Sequence, residues 1–184
     1  MCGCKNLFHF LPTGNKELSI INVLVEIPKG SKIKYEFDKE LGVIKVDRYL
    51  FQDTPFFYDY GLIPQSWMAG DDDPLDAIVL TNEAGYPGTL VETRVIGLIS
   101  IDDSGEQDDK VLCVPAKDPR WDNVKEVEDL NSHMKKELVF FLEHYAALQP
   151  GKTVKVVGWK TASEAIISIK IAKEEYKNKF PNDK

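Results

Sequence analysis

The sequence predicts an α+β fold: a small closed antiparallel β-barrel of about five strands with two main α-helices on its outside. Three observations lead there. The middle of the chain is a series of short β-branched and aromatic runs, Gly, Pro and Asp turns separate them, and two amphipathic segments flank the last run. The 184 residues suit one domain, whose core needs neither disulfides nor structural metal. Residues 1–184 are therefore read as a single domain with tails at 1–16 and 178–184.

The first strand candidate is Ile21–Ile27, "INVLVEI". "KIKYEF", Lys32–Phe37, alternates cleanly: Ile33, Tyr35 and Phe37 point one way, and Lys32, Lys34 and Glu36 the other. Val43–Leu50 follows, with Arg48 sharing the parity of Ile44 and Val46, a position where a partnered arginine is expected. Ala77–Thr81, Thr89–Ile101, Lys110–Pro115 and Thr153–Trp159 complete the strands.

The first helix is expected over Ser132–Leu148, with Leu138, Phe141, Leu142 and Tyr145 spaced to form one apolar stripe and Pro150 and Gly151 as its stop. The second opens at Thr161, where Glu164 completes a capping box, and runs on toward Pro181. No internal repeat or Gly/Ser linker marks a second domain.

The formal net charge of −7 opposes the phosphate backbone of nucleic acids and favours divalent cations. No apolar run is long enough to span a bilayer, and the opening residues lack the apolar stretch of a signal peptide. The expectation is a cytoplasmic protein without membrane or nucleic-acid partners. Cys2, Cys4 and Cys113 are too few for a disulfide framework, and Cys2 and Cys4 alone make a poor metal site.

Chemistry concentrates in "GDDDPLDAIVL", Gly70–Leu80. Asp71 and Asp73 are two apart and share a face in an extended segment, while Pro74 re-aims the chain so that Asp76 can return toward them. Two carboxylates about 4 Å apart repel by about 4 kcal/mol at an effective dielectric near 20, so the cluster calls for cations or protons. An EF-hand does not fit, because Asp76 would stand where its glycine belongs. A second acidic run, Asp102–Lys110, joins two strand candidates, and Glu26, Lys34, Glu36 and Arg48 add carboxylates and cations. Such a mixture suits a metal and a phosphate together.

These residues resemble the soluble family I inorganic pyrophosphatases. "DDDPLD" is similar to that family's signature, and "EIPKG" (Glu26–Gly30), "IKYEFDKELGVIKVDR" (Ile33–Arg48), "DYGLIP" (Asp59–Pro64), "DSGEQDDK" (Asp103–Lys110) and "FFLEHYAAL" ahead of "VKVVGW" follow in the family's order. The resemblance covers Val23 to Tyr176. It implies an OB-like barrel and Mg²⁺-dependent hydrolysis of pyrophosphate to two phosphates, with several ions per site and Mn²⁺ or other divalent metals as alternatives. By the same resemblance, Asp71, Asp76, Asp103 and Asp108 are metal ligands, Glu26 and Glu36 hold further metal through water, and Asp73 is the base. Lys34, Arg48, Tyr60, Lys110 and Tyr145 correspondingly grip the phosphates, and the oligomer is a hexamer. Asp72, on the opposite side of the extended segment from Asp71 and Asp73, is expected to be solvated.

The sequence departs from the family at two phosphate-binding positions: Phe56 stands where many members carry tyrosine, and Ala146 where they usually carry lysine. Tyr58, with the parity of Phe56, is a candidate to supply the missing hydroxyl. A related phosphoanhydride hydrolase of altered substrate range and a catalytically weakened OB-type binding module remain open alternatives at this level.

Overall fold

The computed structural model describes residues 6–70 and 72–181. In chain order its elements are α1 (Leu7–Phe10), β1 (Ile20–Ile27), β2 (Ile33–Asp38), β3 (Val43–Tyr49), β4 (Asp59–Leu62), β5 (Asp76–Val79), β6 (Leu90–Asp103), β7 (Glu106–Gln107), β8 (Lys110–Pro115), α2 (Ser132–His144), β9 (Val154–Thr161) and α3 (Ala162–Lys179).

β1 pairs with both β4 and β6, β4 with β5, β5 with β8 and β8 with β6, so the pairings of five strands return on themselves. β7 and β9 add to β6, and β2 with β3 forms a separate two-stranded hairpin. Two expectations change. The ring is not wholly antiparallel, because β5 and β8 run parallel with Ala77 opposite Val111. Residues 80–109 between them give ample chain for the crossover that a parallel pair requires. Lys34, Glu36 and Arg48, expected on barrel strands, belong to the hairpin.

Alternation along β5 and β8 divides the core. Ile78, Leu112 and Val114 face a cluster completed by Leu138, Phe141 and Leu142 of α2. Ala77, Val79, Val111 and Cys113 face a second cluster with Ala165, Ile169 and Ala172 of α3. Both faces of these strands are buried, which is why they read as continuous apolar runs. The expected stripe of α2 therefore lies on the sheet, and Asn131 caps that helix by accepting the His133 N–H. α3 carries the expected Thr161–Glu164 capping box.

β4 escaped the sequence reading because Gly61 interrupts it. A Cβ there would stand 2.1 Å from the Leu24 carbonyl oxygen, so the close approach of β1 and β4 requires glycine. Within the expected N-terminal tail, Phe8 is fully buried beside Trp67 and Tyr176. Cys2 and Cys4 lie outside the described residues. Among those described, no helix is long and apolar enough to cross a membrane.

Candidate active site

Most of the expected site residues converge on one cavity of about 450 Å³. Its described lining includes Lys34 and Arg48 of the hairpin, Tyr60 of β4, Asp73, Asp76 of β5, Asp103 of β6, Asp108, Lys110 of β8 and Tyr145 after α2. Parallel pairing is decisive here. Ala77 is registered with Val111, so the residues just before them, Asp76 and Lys110, begin their strands side by side.

Lys110 Nζ lies 2.6 Å from Asp76 Oδ2 and also ion-pairs with Asp108. Burial opposes its charge, but Asp76 and Asp108 outweigh burial and hold the ammonium protonated well above its usual range. Tyr60 donates its hydroxyl to the same Asp76 oxygen at 2.5 Å. Burial, then the charges of Asp76 and Asp108, pushes the Tyr60 phenol well above its ordinary value. Burial likewise raises Asp108, against the attraction of Lys110.

Glu26 sits at an irregularity in the β1–β4 register, where Val25 and Ile27 face consecutive residues of β4. The bulge re-aims its side chain, whose Oε1 accepts the Phe37 N–H at 2.7 Å. Burial first and the Asp76 charge second push its carboxyl up to about 8. Glu36 lies on β2 opposite Lys45. Neither Glu26 nor Glu36 lines the cavity. Both are coupled to it electrostatically: after burial, the charges of Asp76 and Asp73 help to raise Glu26, and the charge of Glu36 helps to raise Asp73.

A second irregularity falls in the hairpin, where Lys34 faces Arg48 while Tyr35 faces Val46, leaving Asp47 as the extra residue. Asp47 Oδ2 lies 2.6 Å from Arg48 Nη1 and 3.3 Å from Lys34 Nζ, holding both cations at the cavity wall. The sequence reading missed Asp47, since regular alternation gave no sign that it would serve both.

Asp73 ion-pairs with Lys39 from the hairpin turn, another residue not foreseen. Burial raises the Asp73 carboxyl, and Lys39 opposes the rise. Asp72 is largely solvated, as expected, yet it adopts a left-handed φ of 55° and ion-pairs with Lys179 at the end of α3. Asp71 lies outside the described residues.

Asp103 pairs with Lys152 at 2.5 Å, and Gln149 and Lys152 also line the cavity. Tyr145 caps α2, and burial raises its phenol to about 12. Tyr60 and Tyr145 also line a small adjoining recess of about 30 Å³, where Phe56, Phe141 and Leu142 meet Lys110 and Asp108. Phe56 is buried there, its ring 5.8 Å from Tyr60 and 6.0 Å from Tyr145. Tyr58 does not fill its role: it does not line the cavity, and it lies beneath Lys29 and within the field of Glu137. Ala146 is buried in the turn after α2.

Among the described residues, no three His, Cys, Asp or Glu side chains form a ready metal-holding group. The Lys110 ammonium instead stands between two carboxylates as their cation.

A family model described as inorganic pyrophosphatase matches residues 23–177. The chain belongs to the inorganic pyrophosphatase family. It is 45% identical over 164 residues to the inorganic pyrophosphatase of Sulfolobus acidocaldarius, covering 88% of this chain and 94% of that one. The crystal structure of the Thermus thermophilus inorganic pyrophosphatase is 39% identical, with a TM-score of 0.88 over 94% of this chain and 99% of that one. The Helicobacter pylori inorganic pyrophosphatase structure is 34% identical with a TM-score of 0.86, covering 91% and 99%. Membership in this family accounts for the shared order of motifs from Glu26 to Tyr145.

Proposed function

We propose that this pyrophosphatase-family protein hydrolyses inorganic pyrophosphate to two phosphates by direct attack of water, with Mg²⁺ held among the cavity carboxylates. One observation carries the reading: five carboxylates and four cationic side chains share the described cavity lining, with Lys110 held between Asp76 and Asp108. A free polyanion meets the carboxylates' repulsion, and a free cation meets the ammonium groups. A metal and a polyanion together satisfy both.

The residues fit such a metal. Mg²⁺ prefers carboxylate oxygens, and Lys110 already marks a cation position between two of them. In this reading Asp71, Asp76, Asp103 and Asp108 would hold the metal, and Glu26 and Glu36 would support it through water. Mn²⁺ or another divalent ion of similar chemistry is an alternative occupant. When bound, the metal neutralises phosphoryl oxygens and lowers the pKa of the attacking water.

The chain's own groups supply the rest. Arg48 binds phosphate oxygens bidentately, and Lys34 and Lys110 add point charges. Tyr60 and Tyr145 donate hydrogen bonds from their hydroxyls to phosphate oxygens; a phenol is a donor at neutral pH even at its ordinary pKa, and burial raises both further. Asp73, raised by burial, takes the proton of water as its oxygen bonds to phosphorus. The bridging P–O bond breaks, and the second phosphate leaves with the electron pair.

The reading takes the whole chain as one catalytic domain acting in the cytoplasm as a homo-oligomer, a hexamer by family resemblance, which light scattering would test. The deciding experiment measures phosphate release from pyrophosphate with Mg²⁺, together with Asp76→Ala and an array of nucleotides. Release that Asp76→Ala abolishes in folded protein supports the reading. No release from well-folded wild type over a range of divalent metals overturns it.

A further inference from the structure

We propose that Lys152 is a further substrate-binding residue of this cavity, supplying on the α2–β9 loop the phosphate contact that Ala146 cannot make. The inference rests on the pyrophosphatase reading above.

Position 146 ends in a methyl group and is buried against the core. Three residues later the chain is back at the cavity with Gln149, and it lines the cavity again at Lys152. Gly151, at φ 76°, turns the loop with a conformation that a side chain would strain, and Lys152 follows directly. Lys152 and Asp103 both line the cavity, and their Nζ and Oδ2 atoms lie 2.5 Å apart.

The position is built rather than incidental. The Ser104 N–H donates to the Thr153 carbonyl at 2.8 Å, and the Thr153 N–H donates to Ser104 Oγ at 3.3 Å. These contacts tie the residue after Lys152 to the residue after Asp103. The loop is thus fastened by its backbone, and the Lys152 ammonium, paired with Asp103 in the cavity lining, is not needed to hold it.

The other cavity cations share one arrangement: Lys34 and Arg48 lie against Asp47, and Lys110 lies against Asp76 and Asp108. Each is an ammonium or guanidinium held ready by a carboxylate. Lys152 repeats that arrangement from a different element, so that a two-phosphoryl anion can be gripped from both the hairpin and the α2–β9 loop. Were Asp103 to hold a cation, Lys152 would lose its partner, and its flexible stem would let the ammonium follow a phosphate oxygen.

The test compares wild type, Lys152→Gln and Lys152→Arg. Its readouts are kcat and KM for pyrophosphate with Mg²⁺, the Kd of inorganic phosphate by calorimetry with Mg²⁺, and thermal melting of the metal-free proteins. Lys152→Gln is expected to raise KM and phosphate Kd about tenfold, the lower end for losing a charged hydrogen bond. Its kcat should stay within about threefold, and Lys152→Arg should restore both affinities to within about threefold. Unchanged KM and Kd in Lys152→Gln, with or without a lowered melting temperature, would leave a mere loop staple and overturn the proposal. Equal loss in Lys152→Arg would overturn it also. Wild-type turnover with affinities independent of Lys152 sinks this proposal alone. Absent turnover with Lys152-dependent phosphate binding sinks the pyrophosphatase reading alone, and absence of both turnover and phosphate binding sinks the two together.

Discussion

Lys110 Nζ lies 2.6 Å from Asp76 Oδ2, and the two residues begin adjacent parallel strands. In the metal-free protein this ammonium is the cation of the cluster. Lys110→Met should leave Asp76 and Asp108 repelling each other and lower unfolding stability by roughly 2 kcal/mol, below the usual cost of breaking a fully buried pair because both carboxylates keep some exposure. Urea unfolding with and without Mg²⁺ checks it: the deficit should shrink with Mg²⁺. A deficit that Mg²⁺ leaves unchanged would show that the carboxylates do not share a cation.

Tyr60 donates to the same Asp76 oxygen at 2.5 Å. Tyr60→Phe keeps the ring contact with Phe56 and loses only that bond. It should cost about 1–2 kcal/mol in stability and lower kcat/KM roughly tenfold. Unaltered kinetics would place the hydroxyl outside the reaction.

Glu26 should make metal-free stability depend on pH. Its carboxyl rises from an ordinary 4.5 to about 8, chiefly through burial. Between those values the native state keeps a proton that the unfolded chain releases, so its contribution is full below about 4.5 and is lost as pH rises toward about 8. Denaturation midpoints measured from pH 5 to 8 should therefore fall more steeply for wild type than for Glu26→Gln. Parallel curves would contradict the raised carboxyl.

The aspartates at 71–73 should differ in kind. Asp72→Asn removes the ion pair with Lys179 but tolerates the left-handed backbone, so activity should stay within about twofold. Asp73→Asn should lower kcat by roughly a hundredfold or more, as expected for a lost general base. Asp71→Asn, at a position outside the described residues, should also be severe. Similar rates for all three variants would mean that the division of roles is wrong.

The site was partly legible because charge crowding is visible in a linear sequence. Asp73 and Asp76 stand beside Pro74, and Asp103, Asp108 and Lys110 stand in one turn-rich stretch. The partners of these residues were not legible. Asp47 reaches Lys34 and Arg48 only because a bulge makes it the extra residue of its strand. Lys39 reaches Asp73 from a turn 34 positions away, and Lys152 reaches Asp103 through a left-handed glycine. β4 was hidden for a related reason: Gly61 looks like a strand breaker until the Leu24 carbonyl is seen where its Cβ would be.

The α+β class, both long helices and the family could be read from the linear chain, because the Thr161–Glu164 capping box, apolar periodicity and ordered motifs are local properties. The tertiary structure alone decided how the charges meet. An antiparallel β5–β8 pair would send Lys110 to the far end of β5, whereas the parallel pair sets it beside Asp76. Strand direction is fixed by long-range pairing and crossover geometry, neither of which a local pattern encodes.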